Sequence, residues 1–172
     1  MPGSSDTDKK GHGTHVAGTV GGTKYGIAKK CNLIAVKVLG DNGSGATSGV
    51  IKGVEWAVND AKTHGRIKKS VSLSLFPRKF VCGADIGGKV ANMSLGGGFS
   101  QALNNTVDAA VRAGLTVVVS AGNTNIDSKT RSPASAPLAF TIGSIDPADT
   151  KSSFSNWGKC MIPLSPPIPP PI

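Results

Sequence analysis

Residues 101–123, QALNNTVDAAVRAGLTVVVSAGN, decide the fold class. Leu103, Val107, Ala110 and Val111 recur at spacings of three and four, which marks one face of a helix over residues 101–113. Gly114 follows as the residue that ends it, because glycine enters the left-handed turn after a helix without a Cβ clash. LTVVVSA, residues 115–121, is then a continuous apolar run of strand length, as expected for a strand covered on both faces. A helix feeding directly into a strand of this kind is the repeating unit of a parallel α/β sheet.

The same alternation continues outward. VANMSL, residues 90–95, precedes the helix and reads as a strand; the glycine-rich stretch GGGFS links the two as a loop. AFTIGSI, residues 139–145, reads as a further strand. Upstream, NLIAVKVL, residues 32–39, is another buried strand, and GDNGSGATSG, residues 40–49, a loop. Val50, Ile51, Val54, Ala57, Val58 and Ala61 line a second helix ending near His64 and Gly65. A short buried helix begins near His12. The expectation is an α/β fold with a mostly parallel central sheet.

Two stretches break the pattern. Residues 71–89 have no period and separate a finished helix from the next strand. The tail, residues 161–172, holds six of the 11 prolines and fits neither helix nor central strand.

Composition bounds the function. The 172 residues carry 19 Lys and Arg against 10 Asp and Glu, a net charge of +9. The basic residues are scattered apart from Lys62, Arg66, Lys68 and Lys69 at a helix end, where they complement the helix dipole. Aromatics are 5%, so no stacking platform for nucleic acid is expected. No apolar run approaches the ~20 residues of a membrane helix, and the N-terminal residues do not read as a signal peptide. Three cysteines, Cys31, Cys82 and Cys160, exclude a dense disulfide scaffold.

Three motifs carry chemistry. GHGTHVAGT, residues 11–19, places two histidines three apart. A metal pair needs a third ligand, which the spacing does not supply; the flanking glycines permit close backbone approach to the imidazole. SLGGG, residues 94–98, follows a strand and is either a tight turn or a site of close approach by a ligand. VVVSAGN, residues 117–123, puts small residues and the amide of Asn123 at the carboxyl end of a strand, where α/β sheets bind ligands.

The order GHGTHVAGT, VKVLGDNGSG, VEWA, NMSLGGG, SAGN, SPASAP, SSFSNWG resembles the subtilisin-like serine proteases, in particular the proteinase K-like branch. The resemblance covers residues 1–70 and 90–160, read as a partial peptidase domain of a three-layer fold, with helices on both faces of the sheet and truncated at both ends. It implies that His12 is the catalytic base, His15 a supporting residue and Asn123 the oxyanion donor. It also implies that Gly43, Ser44 and Gly45 form one wall of a substrate cleft. Ser94, Leu95, Gly96 and Gly97 form the other wall, and Ala121 and Gly122 the far side of the specificity pocket. A peptide or protein substrate of broad, mostly apolar preference is expected, held as an added strand, with no cofactor, nucleic acid or membrane partner, in a monomer. Relatives of this kind are mostly secreted, which implies an extracellular protein.

The departures matter as much. In this family the triad runs Asp, His, Ser along the chain. Only Asp6 and Asp8 precede His12, in a polar stretch with no strand, and no GTSMA-type motif occurs in the 172 residues. Without nucleophile and aspartate the chain as written is expected to be inactive. A non-catalytic peptide-binding remnant is the alternative. The branch's calcium site would use carbonyls near Pro137 and Ala139, but its carboxylate position holds Ile162, so no metal is assigned. Deleting residues 71–89 restores the family spacing, which suggests an in-frame retained intron; a genuine surface insertion is the other reading.

Overall fold

A computed structural model describes residues 7–63 and 89–158. Its elements are α1 (His12–Gly21), α2 (Thr47–Thr63), β1 (Lys89–Met93), β2 (Gly97–Gly98), α3 (Gln101–Arg112), β3 (Leu115–Ser120), β4 (Arg131–Ser132) and β5 (Phe140–Ile142). A 3₁₀ turn, Ser128–Thr130, leads into β4.

The sheet is parallel, in the order β1-β3-β5. Met93 stands opposite Val119, and Ser120 opposite Ile142. Consecutive parallel strands need a crossover, and α3 supplies it between β1 and β3. The helix starts where Ser100, in extended conformation, accepts a hydrogen bond from the Leu103 amide. It stops at Gly114, whose φ of 94° favours glycine, as the sequence indicates. Leu103, Val107 and Ala110 are buried against Leu115, Val117 and Val119 of β3, with Met93 and the α2 residue Val50. Side chains of Val and Leu size each contribute about 1.5–3 kcal/mol on full burial, so this patch is the main source of cohesion.

The strands are not covered equally on both faces as expected. Along β3, Leu115, Val117 and Val119 are buried while Thr116, Val118 and Ser120 are half-buried. One face meets α2 and α3; the other is only partly shielded among the described residues.

The largest correction concerns residues 32–39. The run does not form a strand. An apolar run becomes a strand only beside a partner that completes its ladder, and no described strand pairs with it. Its side chains pack instead against α2, where Val36 and Val38 close over Gly53. A Cβ at Gly53 would lie 2.3 Å from Val38 Cγ1, so the contact depends on the missing side chain.

Other boundaries shift. The strand expected over 90–95 runs Lys89–Met93, so Lys89, assigned to the intervening stretch, is part of the sheet. Ser94 and Leu95 leave it. The strand expected over 139–145 is Phe140–Ile142, followed by a bridge between Ile145 and Lys151. GGGFS is not only a loop: Gly97–Gly98 pairs antiparallel with Arg131–Ser132. The remainder of residues 71–89, the tail 161–172, Cys82 and Cys160 lie outside the described residues.

Candidate active site

The chain reversals at the carboxyl ends of β1 and β3 build one cleft of about 260 Å³. Ser94, Leu95, Gly96 and Gly97 form one side. Ala121, Gly122 and Asn123 form the other, which brings together seven of the residues named from the sequence. The two sides are tied at the base, where the Ser120 hydroxyl donates to the Leu95 carbonyl at 3.2 Å. Gly97 has open space where a Cβ would stand, so its backbone is approachable from the cleft side. Asn123 is exposed, and its carboxamide makes no hydrogen bond with any described residue.

His12 reaches this rim from α1. Its Nε2 lies 2.9 Å from the carbonyl oxygen of Ser94. A carbonyl only accepts, so Nε2 carries the proton in this arrangement. The helix N-terminus that presents the ring has Gly11 as its cap, at φ 79° and with no side chain to satisfy the first amides. Asp8 does so from three residues upstream. One carboxylate oxygen accepts from the Gly11 amide at 2.8 Å; the other accepts from the Thr14 amide and hydroxyl, both at 2.8 Å. The Thr14 amide, then its hydroxyl, then the Gly11 amide hold the Asp8 carboxyl below the ordinary carboxylate range.

Gly43, Ser44 and Gly45 are not among the residues lining the cleft. They form a turn ahead of α2, closed by the Gly40 amide on the Ser44 carbonyl at 2.8 Å and by the Asn42 side chain accepting from the Ser44 amide at 2.9 Å. This turn sits beside the segment leading to His12. The Lys10 stem lies 3.3 Å from a Cβ position at Gly43, and Asp41 pairs with Lys9 at 2.9 Å and with Lys37 at 2.6 Å. The hydrogen bond from Lys37, followed by that from Lys9, draws the Asp41 carboxyl down to about 2.

The residue that sequence reasoning missed is Asn156. It is fully buried, and its carboxamide organises the loop that carries Asn123. Oδ1 accepts from the Thr124 amide at 3.0 Å, the Thr124 hydroxyl at 3.2 Å and the Ile126 amide at 3.1 Å. Nδ2 donates to the Ala121 carbonyl at 2.8 Å, and the Asn156 amide donates to the Gly122 carbonyl at 2.9 Å. Gly122, at φ 106°, lets the carboxamide in; a Cβ there would stand 2.5 Å from Nδ2. The signal was present as the asparagine of SSFSNWG, but polar residues around it concealed a buried position.

Among the described residues no group of three His, Cys, Asp or Glu side chains could hold a metal ion. The calcium set considered from the sequence includes Ile162, outside those residues. No helix among the described residues is long and apolar enough to cross a membrane.

The model of the Subtilase family (Peptidase_S8) matches residues 1–170. The chain belongs to the subtilase family. Subtilisin-like protease 3 of Arthroderma otae is 50% identical over 155 residues, 90% of this chain and 34% of the relative. Subtilisin-like protease 3 of Arthroderma benhamiae gives the same identity and coverage. Subtilisin-like protease 4 of Trichophyton tonsurans is 48% identical over 153 residues, 89% of this chain and 34% of the relative. The crystal structure of a cold adapted subtilisin-like serine proteinase superposes with a TM-score of 0.70 at 44% identity, over 87% of this chain and 46% of that one. The subtilase chain therefore spans about a third of the curated relatives it matches. Its parallel sheet with packed helices is the subtilisin-like α/β fold expected from the motifs.

Proposed function

We propose that this chain carries the general base and the oxyanion donor of a subtilisin-type serine endopeptidase centre, His12 and Asn123, with the substrate peptide laid along Ser94–Gly97. The observation that supports this most is the 2.9 Å contact of His12 Nε2 with the Ser94 carbonyl, on the rim of the cleft that Asn123 lines. A peptide carbonyl brought there meets an amide donor with no hydrogen-bond partner among the described residues, suited to a developing negative charge. An imidazole stands within reach of the same rim to move a proton.

The same chemistry argues that the 172-residue polypeptide does not turn over peptides by itself. A base needs a nucleophile to deprotonate, and no GTSMA-type serine occurs in the sequence. The base nitrogen must also be free of its proton. In the neutral ring a proton on Nε2, donated to Ser94, leaves Nδ1 as the basic atom, the reverse of what a triad aspartate enforces. Chain and base together supply binding and charge stabilisation but no acyl-enzyme.

Incubation of the purified 172-residue chain with a chromogenic peptide anilide tests this. No release above the buffer rate is expected. Release that disappears in His12→Ala would show that a nucleophile is present after all.

A further inference from the structure

The cleft contains a feature that the family resemblance does not bring with it. Its lining is neutral except for one residue, Arg131. Arg131 is half-buried, at the first position of β4, where its backbone is fixed by pairing with Gly98. The next side chain, Ser132, is buried, accepting from the Ser100 amide at 2.9 Å. Arg131 lines the cleft beside it. Its guanidinium makes no hydrogen bond or ion pair with any described residue; the ion pairs among these residues belong to Lys9, Lys37 and Lys129. Asp127, the acidic residue nearest along the chain, is engaged by Lys129 at 3.2 Å.

We propose that Arg131 is a specificity-determining residue, and that the cleft takes an acidic side chain, Glu or Asp, from the bound peptide rather than an apolar one. The inference rests on the peptide-cleft reading above. A guanidinium presents a planar fork that matches a carboxylate, and it is weakly hydrated enough to be used in a partly buried wall. A charge of this kind left unpaired beside a cleft of about 260 Å³ disfavours apolar occupants, which would desolvate it without return. The net charge of +9 attracts acidic peptides to the surface in the first place. This preference differs from the broad, mostly apolar one that the family resemblance implies.

The test uses the 172-residue chain and two capped tetrapeptides, Ala-Ala-Pro-Glu amide and Ala-Ala-Pro-Leu amide, with binding read from amide chemical shifts. The Glu peptide is expected to bind about five- to tenfold more tightly than the Leu peptide at low salt. That preference should shrink at 0.5 M salt, disappear in Arg131→Gln and survive in part in Arg131→Lys. Shifts outside the cleft report whether each variant is folded, and the salt dependence of the unmodified chain needs no variant. Equal or tighter binding of the Leu peptide, or a Glu preference unchanged by Arg131→Gln, overturns the role of Arg131 and leaves the cleft reading standing. If neither peptide binds, the cleft reading itself fails and takes this inference with it.

Discussion

Replacing Asn156 by alanine removes the side chain that holds residues 121–126 in place. Four hydrogen bonds from its carboxamide are lost, to the Thr124 amide and hydroxyl, the Ile126 amide and the Ala121 carbonyl. Thr124 is exposed, so water replaces its two at little cost. The Ile126 amide and Ala121 carbonyl face a fully buried position and are left without a partner. At about 1–3 kcal/mol for each of the two orphaned groups, the expected destabilisation is about 2–6 kcal/mol. That is a large part of the roughly 5–15 kcal/mol that holds an ordinary domain together. Urea unfolding gives the total; amide exchange at Thr124 and Ile126 shows where it is lost. Asn156→Asp keeps an acceptor for Thr124 and Ile126 but no donor for Ala121, and should retain part of the protection. If Asn156→Ala stays within about 0.5 kcal/mol of the parent, the range of an uninvolved surface change, with both amides still protected, then Asn156 does not organise this loop.

Three further outcomes follow from named contacts. Gly122→Ala places a Cβ 2.5 Å from Asn156 Nδ2 at φ 106°, and should displace Asn123 and cost about 2 kcal/mol or more by urea unfolding. Val107→Ala, in the core and fully buried, should cost about 1–3 kcal/mol while leaving the chemical shifts of Asn123 unchanged. Asp8 has its carboxyl held below its ordinary 3.8, so its cap on α1 is fully present above that value and is lost as pH falls through the lower folded value. Exchange at Gly11 and Thr14 should therefore rise only in acid, and Asp8→Ala should show the unprotected behaviour at neutral pH.

Much of this architecture is legible in the sequence because it is periodic. Leu103, Val107 and Ala110 announce α3, Gly114 its end, and residues 115–120 the strand beside it, since each signal is local. The motif order also names Ser94 and Asn123, which line one cleft, and His12, whose Nε2 lies 2.9 Å from the Ser94 carbonyl. What is not legible depends on partners. Residues 32–39 have the composition of a strand, yet a strand exists only through a neighbour's hydrogen bonds. The ribbon of Gly97–Gly98 with Arg131–Ser132 is too short for any period and is set by Ser132 clasping Ser100 across 32 residues. Asn156 acts through a 35-residue separation from Ala121, which no local pattern encodes. Arg131 looks like one more scattered positive charge until the fold sets it in the wall of the cleft.

In the proposed reading, His12, Ser94–Gly97 and Asn123 form a peptide site holding a base and an oxyanion donor. Its most direct test is one amide-spectrum titration of the 172-residue chain with the extended Glu peptide, left for a day and followed by the peptide's own signals. Shifts are expected at Ser94, Gly97, Asn123 and the His12 ring, with the peptide intact at the end. An unchanged spectrum, or a peptide cleaved in a His12-dependent manner, would contradict this reading.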